Sequence, residues 1–230
     1  MVLSTNNLTL KDFLKLPETD LNHELIDGQA IPKMSPKFFH SRIQKTLLLL
    51  LDSCCKNYGR IEPEWAVCLT KNGKDWVPIP DLTYISYQRL APDWMLDEPC
   101  PVAPALVIEI ISPGQSFGDL AEKATNYLIA GVLRVWIIDT QAQSITIFYP
   151  DTLPQTIRLL SEVRGKGKGE GLKGKELITT VSKKSFREKS IRGNTIITDD
   201  ILPEMQLTPQ QIFQFIKGTG NGEQGTVKKN

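Results

Sequence analysis

The chain has 230 residues, 40% of them hydrophobic and 23% charged, and its 27 Lys and Arg against 26 Asp and Glu leave a net charge of +1. That length suits one domain with an appendage, and the balance, with a mean hydropathy of −0.19, excludes wholesale disorder, collagen-like repeats and coiled coils. The longest apolar run, residues 47–51, falls far short of the roughly 18 residues of a membrane span. The N-terminus also lacks the basic-then-apolar order of a signal peptide, so a cytoplasmic protein with no membrane partner is expected.

Residues 8–16 carry amphipathic helical spacing, with Asn7 or Thr9 as cap and Pro17 beyond the end. In HELIDGQAIPKM, two short extended stretches flank Asp27-Gly28. A DG pair in that setting predicts a β-hairpin, because both residues tolerate positive φ, and Glu24 becomes a strand residue. From residue 37 to about 58, Ile43, Leu47, Leu50, Leu51 and Cys54 recur at helical spacing, with Gly59 expected to close the helix.

Apolar, β-prone stretches at 61–69, 77–86 and 105–111 are then separated by turn-rich segments at 71–75 and 91–104. The run Ala105-Leu-Val-Ile-Glu-Ile-Ile111 is apolar except for Glu109, as in a central strand covered on both faces. Residues 119–130 read as a helix ending at Gly131, 133–139 as another buried strand, and 144–149 as a more exposed one. A last helix is expected at 208–216. The order predicts a mixed α/β domain, with a central mixed sheet flanked by helices, an N-terminal hairpin and a crossover helix between 111 and 133.

Cys54, Cys55, Cys68 and Cys100 show no CxxC spacing, and the chain has only His23 and His40. Reduced, buried thiols are expected, and any metal should be held by carboxylates, which favours Mg2+ or Mn2+. The near-neutral total conceals a division. Residues 163–192 hold ten Lys or Arg and three Glu, leaving 17 basic and 23 acidic residues elsewhere. The tract opens with RGKGKGEGLKGK and reads as a flexible, solvated insertion, with contact to a polyanion such as nucleic acid as the alternative.

An ionised Glu109 inside a buried strand costs several kcal/mol unless a cation or hydrogen bonds compensate it. Asp81 begins another β-prone run after Pro78-Ile79-Pro80. If the two strands pair, both carboxylates can reach one divalent ion. Lys123 lies one helical turn after Asp119 and one before Tyr127, on the helix that returns to the sheet. From there its ammonium could hold a water or offset charge on a phosphoryl oxygen. Ordinary strand-end and surface charges, or a structural ion pair between Lys123 and the acids, are the alternative reading of these residues.

Asp81 after a proline, Glu109 on a later strand and a basic residue behind it resemble the PD-(D/E)XK nuclease superfamily. More narrowly, HELIDG, MSP followed by FFHSRIQ, VPIPD, LVIEIISP, the D-x3-K-x3-Y of Asp119, Lys123 and Tyr127, VWIIDT and ILPEMQLTPQQIF resemble the Uma-two family of restriction-endonuclease-like proteins. The resemblance covers residues 8–160 and 200–216. It implies a restriction-endonuclease-like fold and a metal-dependent endonuclease acting on DNA, with Asp81 and Glu109 as ligands of Mg2+ or Mn2+. The superfamily's lysine lies two residues after the glutamate, where this chain has Ile111, and the resemblance assigns that role to Lys123. It also adds Glu24 as a further acid at the site, and it matches His40 without a role that the residues themselves supply.

On this reading residues 8–217 form one nuclease-like domain. A basic insertion at 161–198 has no counterpart in the family pattern, and 218–230 form a disordered tail. A homodimer would supply the two sites that cutting both strands of a duplex requires. The competing function is an inactive nuclease-like fold that binds nucleic acid or a protein partner.

Overall fold

The computed structural model describes residues 7–17, 22–159, 187–191 and 196–216. Helix α1 (Leu10–Phe13) is a single turn held by a capping box between Thr9 and Asp12. Strands β1 (His23–Ile26) and β2 (Gln29–Pro32) form the expected hairpin. Its turn places Asp27 at φ 48° and Gly28 at φ 78°, the pairing of positive angles that a two-residue turn demands.

Helix α2 (Phe38–Cys55) buries Ile43, Leu47, Leu51 and Cys55, one apolar stripe at three- and four-residue spacing. It stops before Gly59, which is the first residue of β3 (Gly59–Pro63) rather than a helix cap. A Cβ at Gly59 would stand 2.3 Å from the Ile85 carbonyl oxygen and 2.5 Å from the Tyr84 ring. Close approach to the neighbouring strand, not helix termination, therefore requires glycine here.

The segment expected to be a plain turn at 71–75 is a second hairpin, β4 (Leu69–Lys71) with β5 (Lys74–Trp76). Asn72 and Gly73 carry its positive φ angles. Strand β6 begins at Leu82 (Leu82–Ser86), not at residue 77, since Pro78 and Pro80 have no N–H to give a ladder. Strand β7 (Leu106–Ile110) is buried at every position.

Helix α3 (Phe117–Ile129) starts from a capping box between Ser116 and Asp119 and is followed by Gly131 at φ 95°. It crosses over to β8 (Arg134–Asp139), which pairs parallel with β7 as a βαβ connection should. Strand β9 (Ser144–Phe148), expected to be more exposed, is buried throughout. Its neighbour β10 (Gln155–Leu159) and the layers above and below cover it. The chain continues through β11 (Arg187–Ile191), β12 (Ile197–Asp199), β13 (Leu202–Leu207) and α4 (Pro209–Phe213). Of the basic tract, residues 160–186 and 192–195 lie outside the described residues, as does the tail beyond 216.

Seven strands form one mixed sheet in the order β11-β10-β9-β8-β7-β6-β3. Its pairs are antiparallel except for β7–β8 and β10–β11. Alternation along β7 divides the core. Leu106, Ile108 and Ile110 face α2, α4 and the β12–β13 hairpin. Val107 faces α3 and the β4–β5 hairpin, together with Leu120, Ala124, Tyr127 and Trp76. Glu109 follows Val107 at the strand's period of two and so points to the α3 side.

Buried Arg134 clasps Asp199 with two bonds of 3.0 and 2.9 Å from Nε and ties the β12–β13 hairpin to β8. Among the described residues no helix is long and apolar enough to cross a membrane. The four cysteines are free thiols, two buried and two half-buried.

Candidate functional site

Strands β6 and β7 pair in a register that sets Leu82 opposite Ile108, and the next step outward sets Asp81 opposite Glu109. The ladder ends there. The Ile110 N–H donates to the carboxylate Oδ2 of Asp81 at 2.7 Å. The sheet thus opens at the ends of β6 and β7 and leaves two acidic side chains in the gap. A small cavity of about 190 Å³ occupies it, lined among others by Glu24, Lys33, His40, Asp81, Glu109 and Lys123.

Each side chain arrives from a different element. Glu24 on β1 accepts the Ile79 N–H at 2.8 Å and the Lys123 ammonium at 2.9 Å through the same oxygen. Reciprocal backbone bonds of 3.0 Å between Leu25 and Val77 fasten the hairpin to the chain before Asp81. Lys123 also reaches Glu109 Oε1 at 3.0 Å. Tyr127, one turn further along α3 and fully buried, donates its hydroxyl to that oxygen at 2.8 Å. The i, i+4 spacing therefore aims two donors at one carboxylate. Asp119, the third member of that helical face, does not join them and caps its own helix instead.

On the other side of the gap, Lys33 donates to Asp81 Oδ1 at 2.8 Å and also pairs with Glu64. His40, in the first turn of α2 and 5% exposed, brings Nε2 within 3.0 Å of Asp81 Oδ2. One turn on, Gln44 donates to the Asp81 carbonyl at 2.9 Å and to Glu64 at 2.8 Å.

These surroundings push the two acids in opposite directions. Burial opposes ionisation of Asp81, but the hydrogen bond to His40 and the charge of Lys33 outweigh it and hold the carboxyl down at about 2. An ionised Asp81 makes Nε2 of His40 the donor. Its Nδ1 is buried without a hydrogen-bond partner among the described residues.

Burial raises Glu109, and the charge of Lys123 offsets only part of the rise, because Asp81 and Glu24 add to it. Burial alone would favour neutral Lys123, but the charges of Glu109 and Glu24 raise its pKa above the ordinary lysine value. It stays an ammonium at neutral pH. Burial, then the neighbouring Glu109, raises the Tyr127 hydroxyl far above its usual range, so Tyr127 serves as a donor only.

The four residues singled out from the sequence, Glu24, Asp81, Glu109 and Lys123, thus line one cavity. Lys33 joins them in the lining unannounced, Gln44 supports Asp81 and Glu64 from behind, and His40 gains a partner. The His40 and Gln44 pair had a signal, two polar residues one turn apart at the head of an otherwise apolar helical stripe. Lys33, on the irregular link between β2 and α2, had none.

The family model described as "Putative restriction endonuclease", named Uma2, matches residues 10–177. Among solved structures, the crystal structure of "a putative nuclease belonging to DUF820" from Anabaena variabilis is similar. Its TM-score is 0.68 at 21% identity, and the match covers 91% of this chain and 99% of that one. Among curated proteins nothing matches. With the family model spanning well over half its length, this chain belongs to the Uma2 family of restriction-endonuclease-like proteins.

Proposed function

We propose that the chain is a divalent-metal-dependent endonuclease that hydrolyses phosphodiester bonds in DNA, of the PD-(D/E)XK type with its lysine displaced onto α3. The observation that carries this reading is the convergence of Asp81, Glu109, Glu24 and Lys123 on one cavity at the open end of the β6–β7 pair.

The charges fit a divalent cation. Four carboxylates meet two ammonium groups in two triads of ion pairs, Lys33 between Glu64 and Asp81 and Lys123 between Glu24 and Glu109. That is two positive charges short, and Glu109, raised first by burial, is raised further by the charges of Asp81 and Glu24. Among the described residues no group of three or more His, Cys, Asp or Glu is gathered to hold a metal by side chains alone. The ion that fits is a hard cation such as Mg2+ or Mn2+, content with Asp81 and Glu109 plus waters and substrate phosphate. When bound, it would lower the pKa of a coordinated water and neutralise charge on the phosphate.

The remaining work falls to the protein. Lys123, held protonated, donates to a water or to the phosphoryl oxygen on which charge grows, and it does not act as a base. Glu24 and Tyr127 fix the ammonium and the Glu109 carboxylate in place. His40, Lys33 and the Ile110 N–H fix Asp81, so that the ligand oxygens are oriented before substrate arrives.

Cleavage of plasmid and oligonucleotide DNA with Mg2+ or Mn2+, compared with chelator, is the test. Asp81→Asn and Glu109→Gln should each lower cleavage at least about 100-fold, the scale on which loss of electrostatic stabilisation registers, while the variants remain folded. Full cleavage by either variant would remove the mechanism. Metal-independent binding of DNA without any cleavage would favour a binding module.

A further inference from the structure

Immediately beyond His40, which it shares with the carboxylate cavity, lies a second and larger groove of about 780 Å³. Its wall includes Phe38 and Phe39, the first two residues of α2, 70% and 47% exposed. Neither belongs to either core cluster, so nothing in the packing of the described residues explains two adjacent phenylalanines in water. Their rings meet edge to face, 5.5 Å between centroids at 68°, which leaves a ring face available.

Among the described residues, the charged ones lining the groove are Lys37 and Arg158, with no Asp or Glu. Strand β10 ends at Leu159 on the same rim. The next 27 residues of the chain, 160–186, carry seven Lys or Arg and three Glu. Aromatic faces combined with positive charge, contiguous with a phosphodiester-cleaving site, are what a strand with free bases seeks. Stacking holds the base and basic side chains hold the backbone. A base inside a duplex already stacks on its neighbours and cannot lie on Phe38 or Phe39 unless it leaves the helix.

We propose that this groove is a nucleobase-stacking subsite. In it Phe38 and Phe39 hold an unpaired nucleotide next to the phosphate presented to Asp81 and Glu109, so that the substrate is a single strand or a locally unpaired one. The proposal rests on the nuclease reading and sharpens it. A single strand needs one site, where a duplex cut on both strands needs two.

Binding of a short fluorescent thymidine oligonucleotide by anisotropy, in chelator at low salt, tests it. The control is an oligonucleotide of equal length whose central sugars lack bases. The wild type should prefer the intact strand by roughly 5- to 100-fold, the worth of one stacked base. Phe38→Ala/Phe39→Ala should abolish the preference. Phe38→Leu/Phe39→Leu, which keeps the apolar area but not the ring faces, should abolish it as well.

Equal affinity for both strands, binding of neither, or a preference that survives both variants would overturn the proposal. So would a preference restored by leucine, or a dimer in light scattering that dissociates in the alanine variant, since either would make the patch a protein-docking face. A protein that prefers the base and never cleaves with metal would keep the subsite and lose the nuclease reading. One that cleaves but ignores the missing base would do the reverse.

Discussion

Replacing Tyr127 by Phe removes one hydroxyl and little else. The ring is fully buried and packs against Trp76 at 4.7 Å between centroids, a contact that phenylalanine retains. The lost bond is the 2.8 Å donation to Glu109 Oε1. A hydrogen bond to a charged group contributes about 1.5–3 kcal/mol and one between neutral groups about 0.5–1.5 kcal/mol. Tyr127→Phe should therefore cost about 2 kcal/mol where Glu109 is ionised and about 1 kcal/mol where it is protonated.

The sign follows from linkage. The folded-state pKa of Glu109 lies above its ordinary value of 4.5, so the native state binds this proton more tightly than the unfolded chain. The resulting penalty is absent below 4.5 and grows as pH rises through the folded value. Without the tyrosine donor, Glu109 shifts further up and the penalty grows. Urea unfolding followed by tryptophan fluorescence, at about pH 8 and about pH 4, measures both regimes. A loss below about 0.5 kcal/mol at the higher pH, or one of equal size at both, would show that Tyr127 does not support an ionised Glu109.

Two further outcomes follow from the same network. Asp81 is held at about 2 against an ordinary 3.8, so it contributes about 2–3 kcal/mol at roughly 1.4 kcal/mol per unit. That stability is fully present above 3.8 and is lost as pH falls through about 2. The stability gap between wild type and Asp81→Asn should shrink over that window in acid titrations, and a constant gap would refute the assignment. Lys123→Met strips the shared cation from Glu24 and Glu109. It should destabilise the fold by about 3–5 kcal/mol, the cost of breaking a buried pair. Adding Glu109→Gln should recover part of the loss in thermal unfolding, and a second substitution that adds further loss would contradict the account.

Much of the site was legible because buried charge leaves a mark in sequence. Glu109 stands alone in a run of apolar residues, and a carboxylate there must have partners. Lys123 and Tyr127, one turn apart on the helix returning to the sheet, were placed on one face by periodicity, while the role of Lys123 came from the family resemblance. The Asp27-Gly28 hairpin followed from turn chemistry. The Asn72-Gly73 pair carried the same signal, but flanking strands of only three residues are too short to show alternation. Gly59 misled because a glycine after a helical stripe commonly ends the helix. Its actual constraint, the carbonyl of Ile85, belongs to a neighbouring strand and has no local trace. Lys33 reaches Asp81 across 48 residues of chain from an irregular link, and no periodic pattern reports such a contact.

On the proposed reading, with Lys123 in the role of the superfamily's lysine, a spacing motif is weaker evidence than the physical need behind it. Two residues along a strand return a side chain to the same face, so a lysine at 111 would have stood beside Glu109. Here that position is Ile111, a lining residue of the stacking groove, whose N–H is spent on the Ile138 carbonyl at 2.9 Å. Glu109 meets its ammonium instead from α3, which packs across that face of the sheet and brings Lys123 Nζ to 3.0 Å. The strand position two residues after the glutamate is thereby released from carrying charge. Ile111 there borders the groove in which Phe38 and Phe39 stand exposed, so on the proposed reading a cation carried by the helix leaves an apolar wall beside the cavity.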